Sequence, residues 1–179
     1  TEATVLGDFG GVEFEHHGIV SRMFRRDGKY FVNTEGPDGK LADFEVKYTF
    51  GVTPLQQYLV EFDRPPDMPP HEVARLQALR VCWNTLKKEW FYLPPPDVPE
   101  KLEPDDDLHW TGVAQRWNNM CADCHSTNLQ KNYDLKTGIY HTTYSEIDVS
   151  CEACHGPGSL HVQLARSSAL IKWDRLRGY

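Results

Sequence analysis

Between Cys121 and His161 the chain reads Cys121-Ala122-Asp123-Cys124-His125, then twenty-five residues, then Cys151-Glu152-Ala153-Cys154-His155-Gly156-Pro157-Gly158. No other feature constrains the fold as much as this doubled C-x-x-C-H. Two thiols two residues apart can each add to one of the two vinyl groups of a porphyrin, and the His that follows is then held beneath the iron as its proximal ligand. C-x-x-C-H is accordingly the attachment sequence of c-type haem. The expectation is two covalent haems, through Cys121/Cys124 and Cys151/Cys154, with His125 and His155 as metal ligands. Each macrocycle then supplies apolar surface that the C-terminal part otherwise lacks as a core.

Other readings of four such cysteines explain less. A four-cysteine zinc site is conceivable, but the gap between the pairs exceeds the usual zinc-ribbon interval. A redox dithiol or two disulfides would account for the cysteines alone. None of these requires a His after both pairs. The fifth cysteine, Cys82, lies among Leu79, Val81 and Trp83 and reads as a buried thiol acting as a small hydrophobe.

The residues before these motifs are organised differently. Asp27-Gly28 stands between Ile19–Phe24 and Tyr30–Val32, a strong hairpin signal. Pro37-Asp38-Gly39 precedes a further strand, in which Phe44, Val46, Tyr48 and Phe50 alternate with Glu45, Lys47 and Thr49. Tyr58, Val60 and Phe62 continue that pattern after Pro54. The four prolines between Arg64 and Pro70 exclude a sheet interior. Leu76–Trp83 and Trp90–Leu93 are two more strand candidates. Residues 1–93 therefore predict an antiparallel sheet of about five or six strands. Pro94-Pro95-Pro96 to Asp107 reads as a proline-rich acidic linker or surface loop and is placed as the domain boundary. From 108 to 179 the chain reads as a dihaem part, mainly helical or irregular. Trp110 and Trp117 are expected to pack on a macrocycle, and a helix is expected from Ser159 to about Arg177. The fold class is α+β.

Composition limits the partners. With 26 acidic against 19 basic residues the formal charge is −7, and haem propionates add to it. That disfavours nucleic acid as a partner and points to redox proteins with basic surfaces. No apolar run approaches the ~18 residues of a transmembrane span. The chain opens at Thr1 without Met, and haem is attached outside the cytoplasmic membrane. Export followed by processing, or trimming from a longer chain, is expected, with a periplasmic or extracellular location.

Each iron has a second axial position, and six histidines remain for two sites: His16, His17, His71, His109, His141 and His161. His161 follows His155 by only six residues that include a Gly-Pro-Gly turn and a helix start. A helix advances about 1.5 Å per residue, whereas passing round a haem edge needs a nearly extended chain at about 3.5 Å per residue. His161 is therefore expected to serve a haem other than that of His155. Met120 adjoins Cys121 and is a poor ligand for its own haem.

Several segments together resemble a known family. They are Gly112–Trp117, Met120-Cys121-Ala122, Cys124–Asn128, Lys131–Asp134, Ser145–Val149 and Cys151–His161, with Arg25–Lys29 and Tyr48–Phe62 in the first half. They are similar to the multihaem cytochromes often fused to tetratricopeptide repeats, whose haem motifs resemble those of cytochrome c-five-fifty-four, an electron carrier. The resemblance implies proximal ligands at His125 and His155 and a distal role for His161. It also implies that His109, in Leu108-His109-Trp110-Thr111-Gly112, is a second distal candidate. Where His161 serves a haem outside this chain, His109 falls to the Cys121/Cys124 iron and His17 is the first candidate for the Cys151/Cys154 iron. The reading is extracytoplasmic electron transfer through two haem c groups. Its alternatives are a haem oxidoreductase acting on a small nitrogen or oxygen species at an open iron, and a subunit of a larger multihaem assembly. A homo-oligomer or filament would suit the latter.

Overall fold

The computed structural model describes residues 3–166. They form two compact units, one of residues 3–121 with 131–143, the other of residues 122–130 with 144–166. The first unit is built on an eight-stranded antiparallel sheet in the order β1-β2-β3-β4-β5-β7-β8, with β6 also paired to β5. Its strands are β1 (Val12–His16), β2 (Ile19–Arg26), β3 (Lys29–Glu35), β4 (Leu41–Phe50), β5 (Leu55–Phe62), β6 (Arg75–Ala78), β7 (Val81–Asn84) and β8 (Glu89–Tyr92).

Turn chemistry sets the first two hairpins. Asp27 and Gly28 have φ of 51° and 73°, and His17 and Gly18 have 49° and 77°. Two consecutive positive φ values give the type I′ turn, whose twist matches that of the strands it joins. The sheet has more strands than the sequence predicted, for two reasons. Val12, Phe14 and His16 alternate with Glu13 and Glu15 and form β1, which the sequence reading passed over. The expected strand Leu76–Trp83 is divided at Leu79-Arg80, so β6 and β7 each pair with a different part of β5. The ring of His16 in β1 stacks on Tyr92 in β8, with centroids 4.6 Å apart and planes 18° apart. First and last strands thus meet, and the sheet nearly closes.

The core holds Phe9, Met23, Val32, Tyr58, Trp83 and Trp90 among others. Phe9 makes edge-on contacts to Tyr30, Tyr58 and Trp90 at 5.1, 5.3 and 5.4 Å, the arrangement aromatic quadrupoles favour. Along β4 the expected alternation stops at a bulge. Val46 pairs with Val60 and Tyr48 with Leu59, leaving Lys47 as the extra residue. Phe44 and Val46 accordingly pack on the core, and Phe50 does not.

The stretch read as a linker or surface loop is packed onto the sheet. Lys101 Nζ donates to Glu35 Oε1 at 2.9 Å, and Leu102 is buried. Trp110 lies in the core, its Nε1 donating to Glu35 O at 2.7 Å. The chain then runs beside β6. Gln77 Nε2 donates to Trp110 O and Gly112 O, both at 2.9 Å. A Cβ on Gly112 would lie 2.4 Å from Asp107 O, so this turn admits no side chain.

Short helix α1 (Trp117–Met120) follows, and it is fixed through Asn118. The fully buried carboxamide accepts from Leu76 N at 2.8 Å and donates to Ala74 O at 3.0 Å and Thr142 Oγ1 at 2.9 Å. Thr142 belongs to the excursion 131–143, which carries a two-stranded sheet of β9 (Tyr133–Asp134) and β10 (Ile139–Tyr140).

The second unit holds α2 (Ala122–His125), α3 (Cys151–His155) and α4 (Ser159–Arg166). The chain is thus a β-rich α+β protein, and the mainly helical part expected over 108–179 is not evident among the described residues. Residues 108–121 bond mostly within their own turns and are tied to the sheet through Gln77, Arg80 and Asn118, while 131–143 forms its own hairpin and meets Val73 through Thr142. Of the helix expected to Arg177, α4 is described, while Ala169, Trp173 and Leu176 lie outside the described residues. No described helix is long and apolar enough to cross a membrane.

Asn118→Leu keeps the volume of the clasp but strands the buried N–H of Leu76. Each such unpaired group costs about 1–3 kcal/mol. The expected result is a loss of about 2 kcal/mol in the unfolding free energy of the first unit, measured by denaturant titration of tryptophan fluorescence.

Candidate functional site

Both C-x-x-C-H motifs lie on short helical turns, which the attachment chemistry requires. Cys121 ends α1, its N–H donating to Trp117 O at 3.1 Å, and Cys124 and His125 lie in α2. Cys151, Cys154 and His155 form α3, led by Ser150 in extended conformation and stopped by Gly156 at φ 73°, a backbone angle that suits glycine. Glu152 closes the loop after α3, its Oε1 accepting from Gly158 N at 2.7 Å. No disulfide joins any of the five cysteines.

Within the second unit, Thr127 connects the two attachment turns. It stands two residues after His125 and is only 3% exposed. Its N–H donates to Glu146 O at 2.9 Å, and its O accepts from Ser145 N at 2.9 Å. Its hydroxyl donates to Asp148 O at 2.8 Å and accepts from Ser150 N at 2.9 Å. Ser150 is the residue that leads into α3. The side chain after His125 is tied as well, since Ser126 Oγ donates to Ala122 O. The first motif is therefore followed at once by residues that fix the start of the second. These are the Ser126-Thr127 and Ser145–Ser150 segments flanking the cysteines.

The residues suit a haem in one further respect. Cys124, His125, Cys151, Cys154 and His155 are exposed. So are Ile147, Val149, Leu160, Val162 and Leu164, which gives the second unit apolar side chains with no core among its described residues to receive them. An attached macrocycle is an apolar plate of the kind such a surface would close on. Among the described residues no three His, Cys, Asp or Glu side chains converge as a metal site, so the four cysteines do not form a ready zinc tetrad.

The remaining candidates are scattered. His161 is exposed on α4, six residues beyond His155. His141 shares a 2.6 Å hydrogen bond with Glu72 through Nδ1 and Oε2, and His71 is exposed. His16, His17 and His109 come together in the first unit, around a pocket of about 20 Å³ that Glu35 and Lys101 also line. That volume is room for about one water. His109 is buried, with Nδ1 2.7 Å from Thr111 Oγ1 and Nε2 3.9 Å from Glu35 Oε2. His16 Nδ1 and Glu35 Oε2 are buried without a hydrogen-bond partner. Burial and then the neighbouring His17 lower the pKa of His16 to about 4, and burial lowers that of His109. These imidazoles are thus neutral near pH 7. A macrocycle would reach the buried His109 only if this pocket opened, whereas His17 is exposed. Trp110 and Trp117, expected against a macrocycle, are buried in the first unit instead, where Trp110 packs against Phe44 at 4.9 Å. Burying an indole in the β core is the larger apolar gain available to it there. Glu35 escaped sequence reasoning, because no local pattern places it in one pocket with His16 and His109.

Residues 99–156 match the family model described as Cytochrome c554 and c-prime, a stretch that includes all of both motifs. The match supports a c-type cytochrome electron carrier of that kind, with haem c as its cofactor. No curated protein and no solved structure matched the chain.

Thr127→Val leaves Ser150 N without its acceptor, at a cost of about 1–3 kcal/mol. Amide exchange at Ser145, Thr127 and Ser150 in the haem-loaded protein should speed up about tenfold or more, as ~1.4 kcal/mol implies. Thr127→Ser, which keeps the hydroxyl, should restore most of the protection.

Proposed function

We propose that this chain is a dihaem electron carrier that works outside the cytoplasm. One haem is bound through Cys121 and Cys124 with His125 as proximal ligand. The other is bound through Cys151 and Cys154 with His155. The observation that carries this reading is the Thr127 link between the turns bearing the two proximal histidines. A carrier needs its centres held at a fixed short separation, and an enzyme with one working iron does not.

When bound, haem supplies the one-electron chemistry of its iron. The chain's own residues set the rest. His125 and His155 each supply an imidazole to one iron. His161, on α4 past the Gly156-Pro157-Gly158 turn, would supply an imidazole to an iron other than the one His155 would serve. With His161 on one iron and a fourth histidine, His109 or His17, on the other, two imidazoles per iron would keep both low-spin and closed to small ligands. The exposed apolar side chains of the second unit lower the dielectric around the macrocycles. The acidic surface favours redox partners with basic faces. Export supplies both the compartment in which haem is attached and the one in which those partners are met. A homo-oligomer, a filament or a longer multihaem chain would extend the same electron path.

Intact mass under denaturing, reducing conditions should equal the polypeptide plus two haems, and an unmodified mass with bound zinc would remove the reading. In the loaded protein neither reduced iron should bind carbon monoxide. His161→Ala should open one iron to it and leave the other unchanged, as read from the optical spectrum. Full carbon monoxide binding before the substitution, with turnover of hydroxylamine or nitrite, would replace the carrier with an enzyme.

A further inference from the structure

The first unit contains a cleft of about 480 Å³ whose lining includes Phe50, Leu93, Pro95, Leu108, Ala114 and Cys121. Every one of these residues belongs to the first unit. The volume is within the roughly 300–1,000 Å³ of sites that hold cofactors, and the walls are mainly apolar, with Gln57, Arg80 and Gln115 as polar members. One of those walls carries Cys121, which the proposed function makes a thioether anchor.

The cleft is a built feature. Arg80 is buried between its two sides, with Nε donating to Leu108 O at 2.9 Å and Nη1 to Leu93 O at 3.0 Å. Leu93 N in turn donates to Arg80 O at 2.8 Å. One guanidinium thus fixes the separation of the walls. Pro94, Pro95 and Pro96 follow Leu93 and cannot extend β8, so they stand as a rigid rim with φ already set. The bulge at Lys47 turns Phe50 away from the core, and it lines the cleft. Asn118 sets the position of the α1 helix that Cys121 ends.

We infer that this cleft is the cradle of the haem attached through Cys121, with the proline rim, Leu93 and Leu108 against the macrocycle. The inference rests on the proposed reading of Cys121 as an anchor and goes beyond it. It assigns a cofactor-binding surface to the β-rich unit, outside the residues that attach or ligate haem. Burial there would set the dielectric around one haem and leave the other to its own surroundings, so the two would differ in potential.

The test is a redox titration of the haem-loaded protein carrying Leu108→Asp or Ala114→Asp. A carboxylate in the cleft favours the more positive ferric state. One of the two midpoints should therefore fall and the other stay. Leu86→Asp, in an exposed turn, should move neither. Two attached haems with both midpoints unmoved by the cleft variants would overturn the cradle. An intact mass lacking haem at Cys121/Cys124 would overturn the reading beneath it. Should the cleft variants fail to fold, hydrogen exchange decides between the same alternatives. In the paired Cys121→Ser, Cys124→Ser variant, protection at Leu93, Leu108 and Ala114 should drop relative to the fully loaded protein. Equal protection in the two would contradict the cradle.

Discussion

A single buried carboxamide holds the points where the chain leaves and re-enters its first unit. Asn118 is bonded to Ala74 and Leu76 on one side and to Thr142 on the other, and Thr142 Oγ1 passes the chain of bonds to Lys131 O at 2.9 Å. The first unit is left after Cys121, resumed at Lys131 and left again after Thr143. All three crossings therefore lie within three residues of one network. Such a network is demanding, since any unpaired member in a low-dielectric interior costs its desolvation. Val73 and Thr142 reinforce it with a reciprocal backbone pair at 2.8 and 3.0 Å. The consequence is that Cys121 is presented from a rigid frame.

The second unit has the opposite character. Its described residues bury little beyond Ala122, Ser126 and Thr127, and its apolar side chains face outward. Hydrogen bonds at Thr127 give it local order, but hydrogen bonds alone contribute only about 1 kcal/mol each to stability. Apolar surface is the missing term, and a covalently attached porphyrin is the group its cysteines are spaced to take. On the proposed reading, a rigid β frame and a second unit completed by haem would divide the work between scaffold and cofactor.

Local signals in the sequence were the readable ones. Asp27-Gly28 gave its hairpin because two positive φ values leave few residue types to choose from. The C-x-x-C-H pairs stand out because thioether chemistry would fix their spacing, and the structure shows them on short helical turns. What escaped was long-range. Val12–His16 alternates, but its turn is His17-Gly18, a weaker signal than Asp-Gly. Composition left residues 94–107 open between a linker and a surface loop, and only the packing of Lys101 and Leu102 on the sheet shows the loop. Trp110 and Trp117 sit beside a haem motif in the sequence, whereas their surroundings are set by Phe44, Phe62 and β6. The pocket of His16, His109 and Glu35 depends on the near-closure of the sheet, which no local pattern encodes. The cleft beside Cys121 needs a bulge, a proline rim and one arginine, each ordinary when read alone.

The account stands or falls on two haems held close together in one chain. The spin-resonance spectrum of the fully oxidised, haem-loaded protein tests this most directly, because neighbouring ferric centres broaden each other's signals through their dipoles. The expected spectrum is two low-spin ferric signals, broadened when both irons are oxidised and sharpening when one is reduced. Sharp, independent signals at every stage of reduction, or a dominant high-spin signal, would contradict it.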